Sequence, residues 1–324
     1  MRQRPVPPGT SLLIIVLAAI AAISVFFLMR QHRHRSAPSA EVVVAASPDI
    51  RVLTANINLL RPDQGIHRWS VRRVELIRVL RSIHADIIGM QASTPAQTAW
   101  LAANLHNYEH FPDGAAIHAN LASTLAGPLS TWNQIWYRKN RFQRLAGTFG
   151  MVRPHHPQNN PTENTYFSLV VLHDRAGWFP DLMVLDVHLR HGDANAVKSA
   201  EKLHTILLKW QRRYPAARAI LLGDMNHSRI EHAIYQALLG TAADVPLKDT
   251  FDYARHKPGQ QWGTWENYTD HVYNIWPTDL IFVSPQLAHS PAKIIHYDVP
   301  PSQYPSKHLF VRTVLRPALA ATGR

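Results

Sequence analysis

The chain has 324 residues, 46% of them hydrophobic and 17% charged, which allows a sizeable core and excludes a disordered polymer. There is no cysteine, so disulfides and thiolate metal sites are excluded. The net charge of +12 favours anionic partners, whether nucleic acid, a phospholipid surface or a phosphorylated substrate, without choosing among them.

The first element is the uncharged run LLIIVLAAIAAISVFFLM, Leu12 to Met29, close to the ~20 apolar residues that span a bilayer. It exceeds the apolar region of a signal peptide, about 7–15 residues, and the basic cluster RQHRHR follows it directly. Residues 1–35 therefore read as an uncleaved, single-pass membrane anchor. Basic residues flank the run almost equally, which leaves its orientation undetermined. Residues 36–49, rich in Ala, Ser, Pro and Val, read as a linker. Residues 1–49 hold five Lys/Arg and two Asp/Glu, so nine of the twelve net charges belong downstream. Residues 50–316 read as one domain and 317–324 as a tail.

Within the domain, apolar strands alternate with helices. IRVLTANI (50–57) and ADIIGMQ (85–91) read as strands, and the helix between them, 69–83, aligns Val74, Ile77 and Leu80 on one face. NQIWYRKNRF and YFSLVVLHD read as strands around the loop MVRPHHPQNNPTENT. DLMVLDVHL is a strand, followed by a helix carrying Val197, Ala200, Leu203, Ile206 and Trp210. RAILLGDMN, TDLIFVS and HLFVRTVL are the later strands.

Several of these strands begin or end in a compact polar group: Asn56, Gln91, His188, Asp224 with Asn226, Asp279 and His308. Buried strands hold side chains rigidly, so these groups are expected to converge on one site. Asp224 and Asn226 lie two apart and would point the same way in extended chain. Such a pair suits orienting a water and donating to a phosphoryl oxygen; a turn is the structural alternative. Asp279 could orient His308 in the manner of a triad. His188, His191 and Asp193 in HLRHGD match no hydrolytic zinc spacing, and His155 and His156 sit in a loop between prolines.

Taken together, the segments resemble the endonuclease/exonuclease/phosphatase superfamily, the DNase I-like fold, over nearly all of residues 50–315. RVLTANI is similar to the family's first strand, ending in its asparagine, Asn56. ADIIGMQAS is similar to the strand ending in glutamine–glutamate. VLDVHL carries the family's histidine, His188, and LLGDMN is close to its Gly-Asp-Phe-Asn. WGTW…TDLIFVS and SKHLFV resemble the late segments ending in Ser-Asp-His.

The resemblance implies a four-layer α/β sandwich, with two packed, mostly antiparallel sheets and outer helices. It also implies phosphodiester or phosphomonoester hydrolysis, possible nuclease activity, and Mg²⁺ as cofactor. His188, Asp224, Asn226, Asp279 and His308 would be catalytic, and Asn56 would support the metal or phosphate position. His308 and Asp224 would activate water, while Asn226 and His188 would stabilise charge on the phosphoryl oxygens.

Two departures bear on the metal. The position of the family's main Mg²⁺ ligand, a glutamate, is Ala92, and its aspartate before the terminal histidine is Lys307. Mg²⁺ needs carboxylate oxygens, whereas a lysine ammonium could pair with the phosphate directly. The expectation is a phosphate-binding Lys307 with an altered metal site. Two alternatives stay open: a pseudoenzyme that binds phosphate-bearing ligands, and a lipid-headgroup phosphodiesterase. For the latter, Trp262, Trp265 and Trp276 could provide apolar contacts. The partners implied are nucleic acid or phospholipid, and a membrane through the N-terminal run.

Overall fold

The computed structural model describes residues 47–58, 65–113, 132–152, 165–189, 193–241, 245–255, 263–269, 271 and 275–317. The expected anchor, most of the linker and of the tail, His155, His156, His191 and Trp262 lie outside the described residues. Among the described residues no helix is long and apolar enough to cross a membrane.

Two sheets form the domain. The first contains β1 (Ile50–Asn56), β2 (Ile87–Ser93), β3 (Tyr108–Phe111), β4 (Trp132–Arg138), β11 (Ala288–His289), β12 (Lys293–Ile295) and β13 (Phe310–Arg316). Its order is β11-β13-β1-β2-β4-β3, with β12 also on β13. The second contains β5 (Phe142–Val152), β6 (Thr165–Asp174), β7 (Leu182–His188), β8 (Arg218–Asp224), β9 (Lys248–Asp249) and β10 (Asp279–Val283), in the order β5-β6-β7-β8-β10-β9. β1 runs parallel to β2, and β7 to β8; the other pairings are antiparallel. Helices α1 (Trp69–Ile83) and α2 (Pro95–Ala102) pack on the first sheet. Helices α3 (Asp193–Arg213) and α4 (His232–Leu239) pack on the second. This is the expected four-layer sandwich.

The period-two alternation of β1 explains the layering. Ile50 and Val52 join the core between the sheets, whereas Leu53, Ala55 and Ile57 join the core beneath α1 and α2. Thr54 and Asn56 therefore face the second sheet. On β8, Ile220, Leu222 and Asp224 share the face that looks back at them. Among the described residues, both cores and every strand fall between residues 50 and 316.

One helix differs from its sequence reading. Val74 was expected on the buried face of α1 but is 64% exposed, because the stripe runs through Trp69, Arg72, Leu76, Leu80 and Ile83. Two residues along a helix turn through about 200°, so Val74 faces away from Leu76. Arg72 occupies the stripe instead. Its buried guanidinium donates to the carbonyls of Ile57, Asn58 and Pro305, tying the chain after β1 to the segment before His308.

Candidate active site

β1, β7 and β8 end, and β10 begins, at one edge of the sandwich. His188, Asp224 and Asp279 are direct lateral partners across β7, β8 and β10, so three separate segments deliver them as neighbours. Gly223 makes this closeness possible. Its φ is +146°, and a Cβ there would lie 1.9 Å from the carbonyl oxygen of Val187.

His308 reaches the same edge from the segment before β13. Its Nδ1 lies 3.0 Å from Asp279 Oδ2 and 3.8 Å from Asp224 Oδ2. The backbone is fixed around it. Ser306 Oγ donates to Asn56 O and accepts from His308 N, and Tyr297 OH donates to His308 O. A short bridge pairs His308 with Trp265.

Asp224 is the hub. Its Oδ2 accepts from Asn56 Nδ2 at 2.8 Å and lies 3.4 Å from His188 Nε2; its Oδ1 accepts from Asn226 N at 2.9 Å. Burial alone would push this carboxyl up. The His308 and His188 rings and the bonds from Asn226 and Asn56 outweigh it and hold the carboxyl below its usual range. Burial raises Asp279 to about 6, with Asp224 adding to the rise. Burial would lower His308, but the two carboxylates hold it up to about 9. At neutral pH the cluster is an imidazolium between two carboxylates.

Asn56, Ala92, His188, Asp224, Asn226, Lys307 and His308 line one cleft of about 730 Å³, and Asp279 stands behind His308. Two details differ from the sequence reading. Asn226 does not project beside Asp224 along an extended strand: its φ is +52°, and its Nδ2 donates to Leu189 O. A turn, not the pleat, brings it to the cleft. Gln91 does not join the cleft at all. It faces the interior between the sheets, where its Nε2 donates to Asp186 Oδ1 and Thr54 Oγ1. A bulge after Met90 puts Ala92, with φ +58°, into the cleft wall instead.

Sequence reasoning missed Asn58, Ser228, Ile230, Glu231 and Thr278, which also line the cleft. The Ser-x-x-Glu spacing was a usable signal for two of them. Glu231 Oε2 accepts from both Ser228 N and Ser228 Oγ, and its Oε1 is 2.8 Å from His227 Nδ1.

Residues 53–300 match the model of the Endonuclease/Exonuclease/phosphatase family. The chain belongs to that family. Solved structures share its fold at low identity. An endonuclease/exonuclease/phosphatase from Bacteroides vulgatus is 20% identical, with TM-score 0.65 over 83% of this chain and 99% of that one. A mannosyl-6-phosphatase of Bacteroides thetaiotaomicron is 19% identical, with TM-score 0.65 over 82% and 99%. TDP2 of D. rerio, complexed with single strand DNA product, is 16% identical, with TM-score 0.60 over 83% and 99%. No curated protein matches the chain by sequence.

At the two positions where the resemblance implies acidic Mg²⁺ ligands, Ala92 offers a methyl group and Lys307 a cation, so these two do not fit that ion. Asp224, Asp279 and His308 bring one ligand atom each within 4.8 Å of one another. Of these, His308 Nδ1 already faces Asp279 Oδ2 at 3.0 Å.

Proposed function

We propose that this family member is a phosphoesterase, membrane-anchored through residues 1–35, that balances substrate charge with Lys307 and the His308 imidazolium instead of a carboxylate-held metal. The observation that carries the reading is the buried Asp279–His308–Asp224 chain opening into a cleft that Lys307 shares with Asn226 and His188. The charge of Lys307 also acts on His308, tending to lower its pKa, which fits two cations at one locus.

In this site Lys307 pairs with the phosphate oxygens, and Asn226 and His188 border them. Each carboxylate oxygen has two lone pairs, so Asp224 retains acceptor capacity beyond the bonds from Asn56 and Asn226. Asp224 takes the proton of the attacking water as its oxygen bonds to phosphorus. The bond from phosphorus to the leaving oxygen breaks, and His308 supplies that oxygen with a proton. Asp279 holds the imidazolium in its orientation. In this reading His308 acts as the acid, where the resemblance implied water activation, and Asn56 acts through its bond to Asp224.

The test is hydrolysis of bis-nitrophenyl phosphate by residues 47–324, with Mg²⁺ and with chelator, and His308→Ala as the background control. Activity should survive chelation and vanish in the control. The Ala92→Glu/Lys307→Asp double variant should become dependent on added Mg²⁺. A chelator-sensitive parent would overturn the charge-replacement reading. Absence of hydrolysis on plasmid, nitrophenyl diester and phospholipid alike would replace catalysis with ligand binding.

A further inference from the structure

The end of the sandwich opposite the cleft gathers positive charge. β4, β6, β10 and β13 end there, and β1, β5, β7 and β8 begin there. Lys139 and Arg175 in the turns after β4 and β6, Arg212 and Arg213 before β8, and Arg316 closing β13 are all exposed. Backbone bonds hold these turns side by side: Arg175 N donates to Arg141 O, and Arg218 N to Asp181 O.

The acids of this end do not cancel that charge. Asp86 is buried 3.4 Å from Arg138 Nε, and Asp174 is buried 3.5 Å from Arg141 Nε, so two other arginines answer them. Asp181 is half-buried and faces His173 Nδ1 at 2.9 Å, and Asp49 is half-buried. Glu109, on β3, accepts from Tyr137 OH. At the cleft the balance is reversed, since Asp224 and Glu231 stand in the wall against Lys307.

Two further features belong to the basic end. Trp178 projects from the turn after β6, 55% exposed, and its backbone is fixed because its N–H donates to Asp174 Oδ2. The chain also enters the domain here: the Arg141 guanidinium donates to the carbonyls of Ser47, Pro48 and Asp49.

A fixed, exposed indole among arginines is the composition of a contact with an anionic bilayer, where the indole sits at head-group level and the cations meet lipid phosphates. A polynucleotide needs its cations in a row along the backbone and aromatic faces for its bases. Here the cations are spread over the turns of a blunt end. The point of entry also favours the bilayer. In the sequence only residues 30–46 separate the apolar run Leu12–Met29 from Ser47, so a bilayer holding that run is tied to this end of the domain and not to the cleft.

We propose that the end opposite the cleft rests on an anionic phospholipid surface through Arg175, Trp178, Arg212 and Arg213, so that the cleft opens away from the bilayer. The lipid surface is the partner here, not the substrate. The proposal extends the anchoring reading and is independent of the phosphoesterase chemistry.

Residues 47–324 contain both cores and every described strand but lack the apolar run, so their co-sedimentation with vesicles measures the surface contact without it. The protein should ignore phosphatidylcholine vesicles, bind once phosphatidylglycerol is added, and dissociate as salt is raised. One Lys or Arg near an anionic surface is worth about fivefold in affinity. Arg175→Gln should therefore lose about fivefold, and the double variant Arg212→Gln/Arg213→Gln about 25-fold, each with the Tm of the parent. Trp178→Ser should also weaken binding. Arg68→Gln removes the same charge at the cleft end, where Arg68 is exposed just before α1, and should bind as the parent does. The proposal is overturned if the parent ignores anionic vesicles, if the basic-end variants bind them unchanged, or if Arg68→Gln loses as much as Arg175→Gln. A loss confined to a single-stranded oligonucleotide would assign the surface to nucleic acid and overturn it as well. The anchoring reading fails by a different result, release of the full-length chain from membranes by alkaline carbonate.

Discussion

Replacing Asp279 by Asn keeps the shape of the site and removes the carboxylate 3.0 Å from His308 Nδ1. In the parent, burial lowers His308 while Asp279 and Asp224 raise it to about 9. Without Asp279, only Asp224, at 3.8 Å, opposes burial. The ring should then return to the region of its ordinary value near 6.5, a loss of about 2.5 pH units or ~3 kcal/mol. At pH 8 the protonated fraction would fall from roughly nine-tenths to about 3%. The His308 ring proton, followed by NMR across pH 5–10, should titrate near 9 in the parent and below 7 in the variant. The alkaline limb of kcat/KM should move with it, since His308 acts as the acid. A parent ring that already titrates below 7 would refute the electrostatic account. A variant with an unmoved alkaline limb would refute the acid role.

The same group links pH to stability. A raised histidine pKa stabilises fully below about 6.5 and is lost as pH rises through about 9, so Tm should fall across that window and fall less in Asp279→Asn. Gly223→Ala should be strongly destabilising, by at least ~3 kcal/mol in thermal or urea unfolding, because its Cβ would meet the Val187 carbonyl at 1.9 Å. Arg72→Met leaves the carbonyls of Ile57, Asn58 and Pro305 without their donor at a buried position. About 3 kcal/mol and a Tm drop of roughly 5–10 °C are expected. Lys307→Ala should raise KM for anionic phosphoesters more than it lowers kcat, while the unfolding midpoint stays close to that of the parent.

Most strands of the core were legible because their apolar runs are long and bounded by polar residues. However, NQIWYRKNRF, read as a strand, is β4, a turn and the first residue of β5, and the eleven-residue β5, half-exposed and lacking an apolar run, was not read. The short elements were not legible either. β3, β9, β11 and β12 have two to four residues each, too few to show a period, and they exist through pairing with longer neighbours. α4 is eight residues long and follows a loop that contributes Ile230 and Glu231 to the cleft, so missing the helix meant missing the loop's role.

The polar residue types at strand ends, and their order, are properties of the sequence. So are Ala92 and Lys307 at positions where the resemblance implies acids, because residue identity needs no coordinates. Which side each group faces is a different matter. Gln91 and Ala92 are adjacent in the chain, yet one is buried against Asp186 and the other lines the cleft. A bulge against β4 separates them, and a bulge arises from the pairing of two strands rather than from either strand alone. The charge state of His308 likewise depends on two carboxylates from β8 and β10, 84 and 29 residues away in the chain. Only the packed sandwich brings them within 4 Å of one imidazole, and burial there decides how strongly they act.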